Sequence, residues 1–186
     1  MKNKGFSLIE VLVSVSIFGI IIAGPTGLFV LSLRNQNMSL ALGETIDNTS
    51  HAVEYMSRAL RMARKDRIGS CITQNYNYEN PGADSSKIRF LSYQGYCQEF
   101  SLSGNQIMQR KSSDGTSANF DSGAYLTSDD LSINNFQFLI VGGGQNDNLQ
   151  PRVTIVFNIA KTSAGTGLPA INVQTTISQR NLDVTY

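Results

Sequence analysis

The chain has 186 residues, of which 16% are charged, a size that allows one anchor segment plus one globular domain with a single core. Lysine and arginine number 15 against 14 aspartate and glutamate, a formal charge of +1, so no bulk basicity argues for nucleic acid. The 16 glycines and the many Asn, Ser, Gln and Thr fit a loop-rich β domain.

At the N-terminus, Lys2 and Lys4 precede Gly5-Phe6 and an apolar run over residues 6–33. Only Glu10 and a few Ser, Gly, Thr and Pro interrupt that run. As a helix it would reach ~40 Å, enough to cross ~30 Å of hydrocarbon. The two lysines are expected to stay cytoplasmic, which turns the rest of the chain outward in a single pass. Without them, 13 basic side chains face 14 acidic ones. An ordinary secretory signal peptide needs a small-x-small cleavage site just past its apolar core. Ile21-Ile22-Ala23 and Ile22-Ala23-Gly24 fail at the first position, and Ala41-Leu42-Gly43 lies well past Arg34. An uncleaved anchor is the other rival. Glu10 is costly in this context, at least ~2.5 kcal/mol on insertion scales, and such acids usually have a dedicated partner. A solvated glutamate on a short interfacial helix is the bland reading. Gly24-Pro25 predicts a kink or a locally unwound turn.

Residues 34–68 read as a continuation of the helix. Leu42, Ile46, Thr49, Val53, Met56, Leu60 and Ala63 recur at alternating spacings of four and three, which predicts one buried stripe. Arg34, Glu44, Asp47, Glu54, Arg58, Arg61 and Lys65 avoid it, and Gly69 is the expected stop. Residues 70–86 carry turn residues and no period. Alternation predicts strands over residues 87–93, 96–102 and 106–111, joined by Gln94-Gly95 and Ser103-Gly104-Asn105 into a three-strand meander. On the middle strand Tyr96, Gln98, Phe100 and Leu102 are expected opposite Cys97, Glu99 and Ser101. Residues 112–130 are expected to be a long surface loop. A second antiparallel group is predicted over residues 131–141, 151–160 and 171–178, with no internal repeat. The fold class is α+β: a leader over residues 1–5, a membrane helix over 6–33, and a soluble domain over 34–186. In that domain an amphipathic helix (34–68) packs on an antiparallel sheet within a β-rich part (69–186).

Met1-Lys2-Asn3-Lys4-Gly5-Phe6-Ser7-Leu8-Ile9-Glu10-Val11 resembles the N-terminal signature of type IV prepilins, pseudopilins and minor pilins included. The resemblance covers about the first thirty residues. The order of helix and then meander looks like the pilin fold, and residues 173–180 are similar to terminal strands of minor pilins. The resemblance implies cleavage between Gly5 and Phe6 by a prepilin peptidase and N-methylation of the new Phe6 amine. It further implies a role for Glu10 in assembly, pairing with the N-terminal amine of a neighbouring subunit. The implied partners are that peptidase, other pilin or pseudopilin subunits and an inner-membrane assembly platform. The implied location is the cytoplasmic membrane, then an extracytoplasmic filament. The function expected is that of a structural subunit of a type IV pilus-like filament or of a secretion or competence pseudopilus. A membrane-anchored extracellular binding module that never polymerises, for DNA or a surface ligand, is the alternative.

Cys71 and Cys97 are the only cysteines. An exported domain favours one disulfide, and two free thiols are the alternative. Arg58, Arg61, Arg64, Lys65 and Arg67 form a basic patch that the helix dipole and solvent explain without DNA. No aromatic interleaving supports single-strand binding. Asp129-Asp130 and Asn146-Asp147-Asn148 offer oxygen ligands for calcium but lack a known loop spacing, so ordinary turn chemistry is favoured and no metal is expected. Gly142-Gly143-Gly144 lacks the Lys-Ser/Thr of a phosphate loop. His51 is the sole histidine and matches no nucleophile–acid pair. Neither an enzyme nor a cofactor is expected.

Overall fold

The computed structural model describes residues 5–144, 149–162 and 170–181. Lys2, Lys4 and the Asn146-Asp147-Asn148 triplet lie outside them. The chain divides into two compact units, Met1–Leu42 and Gly43–Tyr186. One long helix, α1 (Leu8–Arg61), supplies the described body of the first unit and the opening element of the second.

Over residues 8–33 the helix is largely apolar on every side. Three of its hydroxyls are satisfied locally: Ser14 donates to the Glu10 carbonyl at 2.7 Å, Ser16 to Leu12 at 2.9 Å and Thr26 to Ile22 at 2.8 Å. Such back-bonding spares those three a bare exposure to hydrocarbon. Helix runs through Gly24-Pro25 without a break, so the expected unwound turn does not form. Proline removes a single N–H, and the Thr26 hydroxyl serves the carbonyl next to the vacated one. Membrane helices tolerate proline by this kind of substitution.

The second unit is α+β and pilin-like: the rest of α1 packs with two antiparallel sheets. Thr45, Thr49, Ala52, Met56 and Leu60 are the buried helical residues. Thr49, Met56, Leu60 and the following Ala63 lie on the buried face as expected. Ile46 does not, being 46% exposed, and Leu42 and Val53 are only half-buried. A strict 3.5-residue stripe drifts around a 3.6-residue helix, and the small residues Thr45 and Ala52 take the inner face. The helix also ends at Arg61, seven residues short of its expected end at Ile68. The Arg64 N–H donates to the Leu91 carbonyl at 2.8 Å, so tertiary pairing with a strand replaces the next helical turn. The helix-end carbonyls find distant donors. Leu60 accepts from the Tyr78 hydroxyl at 2.7 Å, Arg61 from the Arg180 N–H at 2.9 Å, and Ala63 beyond the last turn from Gln179 Nε2 at 2.7 Å. These satisfy groups that a helix end leaves open.

Strands β1 (Lys87–Leu91), β2 (Cys97–Ser103), β3 (Gln106–Ser112) and β4 (Ala124–Tyr125) form one sheet in that order. The predicted meander is there, but β4 lies inside the region expected to be all loop. It pairs Met108 with Tyr125 and Gln109 with Ala124. Strands β5 (Leu131–Val141), β6 (Arg152–Lys161) and β7 (Ile171–Ser178) form the second sheet. A register shift between Asn134 and Gln137, with Asn135 at φ 51°, explains why the inward phase jumps from Ile133 to Phe136. One core joins the helix to both sheets: Met56, Leu60, Phe90, Phe100, Phe138 and Phe157 are all buried in it.

Candidate functional site

The N-terminal segment is built by sequence alone. Gly5, Phe6 and Ser7 precede the helix without helical structure. The Ser7 carbonyl accepts from Glu10 N–H at 3.0 Å and Val11 N–H at 3.3 Å, which starts the first turn. Glu10 thus sits in the first turn, where the helix dipole suits a carboxylate. Its carboxylate has no partner among the described residues. Phe6 is 82% exposed, and Leu8, Ile9, Phe18 and Ile20 stand similarly open. The helix is long and apolar enough to cross a membrane, and none of its most apolar window is buried within the chain.

The cysteines are brought together. Cys71 and Cys97 are bridged, with 5.3 Å between their Cα atoms, and both are buried. Beside them lies an arrangement that the sequence reading did not single out. The Asp66 carboxylate is buried and accepts four backbone N–H groups: Ile68 at 3.0 Å, Gly69 at 2.8 Å, Cys71 at 2.8 Å and Ile72 at 3.1 Å. Burial pushes its pKa up, but the four donors together outweigh burial and leave it below the ordinary carboxylate value. Gly69, at φ 81°, serves this loop rather than the helix end. The alternation Asp66-x-Ile68-Gly69-x-Cys71 carries no motif, so no local signal exposes it.

Glu99 is the second residue missed. Alternation put it on the face of β2 opposite Phe100, with no role assigned, and it is 1% exposed. Arg89 Nη2 contacts it at 2.7 Å and Arg110 Nη2 at 2.5 Å. Both guanidinium groups stack 5.2 Å from the centre of the Phe120 ring. The loop carrying Phe120 covers this face, so β2 is buried on both sides at Cys97–Ser101. The register Arg89↔Glu99↔Arg110 across three strands was readable only once the pairing was known.

The remaining candidates disperse. Arg58 pairs with Glu54 at 2.6 Å, and Arg64 donates to the Tyr93 carbonyl at 2.8 Å. Asp130 contacts Lys161 at 3.2 Å, and Lys161 reaches Glu44 at 2.6 Å. The hydrogen bond from Ser128 above all, and that from Lys161, hold Asp130 below its usual range against the cost of burial. Among the described residues no group of three His, Cys, Asp or Glu could hold a metal ion. His51 lies exposed on the helix, and the Gly143 carbonyl simply accepts the Asn77 N–H at 3.0 Å.

This N-terminal geometry coincides with a recognised signal. The family model for the prokaryotic N-terminal methylation motif matches residues 1–24. The chain therefore carries the type IV prepilin-like signal, consistent with a pilin or pseudopilin. That motif supports a precursor processed by prepilin peptidase, and the proteins that bear it are structural subunits which assemble with other pilins. Signal and helix together fit membrane anchoring followed by an extracellular filament. Comparisons with curated proteins and with solved structures returned no match.

Proposed function

We propose that the chain is a non-enzymatic minor pilin or pseudopilin, a structural subunit of a type IV pilus-like filament or of a secretion or competence pseudopilus. The precursor lies in the cytoplasmic membrane with its N-terminus inside. Prepilin peptidase cuts between Gly5 and Phe6 and methylates the Phe6 amine. An inner-membrane assembly platform then moves the mature chain into a filament alongside other pilin subunits. One observation supports this reading above the rest: the methylation motif opens a helix whose large apolar side chains over residues 8–33 have no cover within the chain. Glu10 deepens it. A carboxylate without an internal partner, one turn from the new amine, can neutralise the amine of a neighbouring subunit in a dry filament core.

Peptide mass spectrometry of the mature protein tests the processing step, and an N-terminus at Phe6 with a methylated amine is expected. An N-terminus at Met1, or anywhere beyond Ala23, would sink the reading. Glu10→Val should ease membrane insertion by ~2.5–3.5 kcal/mol and leave export and cleavage normal. Its incorporation into sheared filaments should nevertheless fall sharply. Recovery of the variant in filaments at the wild-type level would remove Glu10 from assembly. Recovery of the wild-type chain in membranes alone would favour a binding module that never polymerises.

A further inference from the structure

The turn between β1 and β2 presents two tyrosines toward the end of α1. Tyr93 and Tyr96 line a cavity of 370 Å³ together with Tyr55 of the helix. All three belong to the second unit. The turn is held from within: the Ser92 N–H donates to the Tyr96 carbonyl at 2.9 Å, and the Gly95 N–H to the Ser92 carbonyl at 3.0 Å. Gly95 takes φ 91°, which the tight reversal requires. Arg64 pins the Tyr93 carbonyl at 2.8 Å. The backbone that carries the two rings is therefore set in place before any ligand arrives, which lowers the cost of binding.

The polar lining has one sign. Arg58 and Lys111 line the cavity and no acidic side chain does. Glu54 already holds Arg58 at 2.6 Å. The Lys111 ammonium has no partner among the described residues, its backbone N–H alone being engaged. Directly across the β2–β3 ladder from Lys111 stands Gln98. It also lines the cavity, is 4% exposed, and its side-chain amide nitrogen has no hydrogen-bond partner. A buried donor left unmade is costly, so an acceptor that meets it once the Gln98 side chain turns outward would gain from it. A second cavity, of 510 Å³, shares Tyr96 and Lys111 and adds Asn119, Phe120 and Asp121, whose carboxylate accepts the Lys111 backbone N–H at 3.0 Å, so only the smaller cavity is free of acid. Aromatic faces, an orphan amide and a free cation thus run through two adjoining spaces.

We propose that these cavities form a binding site for an acidic glycan. A sugar ring has an apolar C–H face, which stacks on tyrosine, and edge hydroxyls, which need donors and acceptors in the same pocket. The smaller cavity lies at the low end of small-ligand sites, about 300–1,000 Å³, which suits one or two rings. Gln98 donates to a ring oxygen or hydroxyl. Lys111, shared by both spaces, meets a sugar carboxylate. A proline-rich peptide would also stack on tyrosines, but it has no use for an unpaired lysine.

The test uses the full-length protein in detergent micelles, titrated calorimetrically with an oligomer of galacturonic acid. A glucose oligomer of the same length and a proline-rich peptide serve as comparisons. Saturable, sub-millimolar binding of the acidic oligomer is expected, with the glucose oligomer weaker by about tenfold or more. Tyr96→Ala and Tyr93→Ala should each lose about tenfold, Tyr96→Phe should keep wild-type affinity, and Lys111→Gln should remove the preference for the acid. Unchanged melting temperatures would separate these losses from unfolding, and Tyr93, 54% exposed, is the safer variant in that respect. The proposal is overturned if the galacturonic acid oligomer does not bind, if the two oligomers bind equally, or if Tyr93→Ala binds as the wild type does. It is overturned too if the proline-rich peptide binds where neither oligomer does.

Discussion

In residues 8–33 of α1 the large apolar side chains stand open, Ile9 at 68% and Phe18 at 64%, whereas Met56 and Leu60 further along the same helix are fully buried. The more apolar stretch is the uncovered one. The buried stretch makes do with two threonines, an alanine, Met56 and Leu60. Hydrophobicity alone therefore does not say where a helix finds its partner. A helix apolar on every side needs cover all round, from lipid or from other chains, while an amphipathic helix offers one stripe to its own domain. The first half of α1 is built for neighbours outside the chain and the second half for neighbours inside it.

Substitutions on the two halves should separate this cleanly. Leu60→Ala removes a fully buried side chain from the shared core and should cost about 2–5 kcal/mol, read as a lower urea midpoint for the full-length protein in detergent. Phe18→Ala should leave that midpoint within about 0.5 kcal/mol while weakening whatever covers the first half. Equal losses at both sites would mean that Phe18 has a folded partner within the chain, and the comparison would break.

The disulfide belongs to the inward-looking half. Its 26-residue separation gives a stabilisation of about 3.5 kcal/mol in the chain-entropy model. Replacing both cysteines by serine should lower the stability of the second unit by about that amount. Filament incorporation should fall only in proportion to the unfolded fraction. Free alkylation of both thiols in native, air-exposed protein would refute the bridge outright.

Legibility followed the range of the physics involved. Period-two alternation and turn residues located β1, β2, β3, β5, β6 and β7 to within a few residues, because those signals are local. The bulge that aligns Phe136 and Phe138 inward was not readable, because it breaks the alternation that the run 131–141 otherwise shows. The helix end was misplaced because Arg64 is captured by Leu91, a partner 27 positions away. Strand β4 was invisible, since two residues, Ala124 and Tyr125, carry no pattern. Glu99 was not singled out because alternation separates two faces without saying that both are covered, and the loop bearing Phe120 covers the second. At the N-terminus the reverse held. The methylation motif matched over residues 1–24 is a linear signal, so the sequence states it without help from the fold.

Two acids condense the contrast. Glu10 has no partner among the described residues, while Asp66 accepts four backbone N–H groups at 2.8–3.1 Å. Burial alone would raise the Asp66 pKa, but the donors outweigh it and the folded value lies below the ordinary 3.8. The sign then follows from linkage. A depressed folded pKa means that the ionised form favours the folded state. Asp66 thus contributes its full stabilisation above the ordinary value and loses it as the pH falls through the lowered one. Asp66→Asn removes the titration and turns an amide N–H₂ toward two backbone donors, which should cost about 2 kcal/mol at neutral pH. Urea titrations of wild type and variant from about pH 7 down to about pH 2 should show that gap closing below the ordinary carboxylate value. A gap that stays constant across the range would mean that shape, not charge, holds the loop of residues 66–72, and that Asp66 is no more electrostatically engaged by its own chain than Glu10.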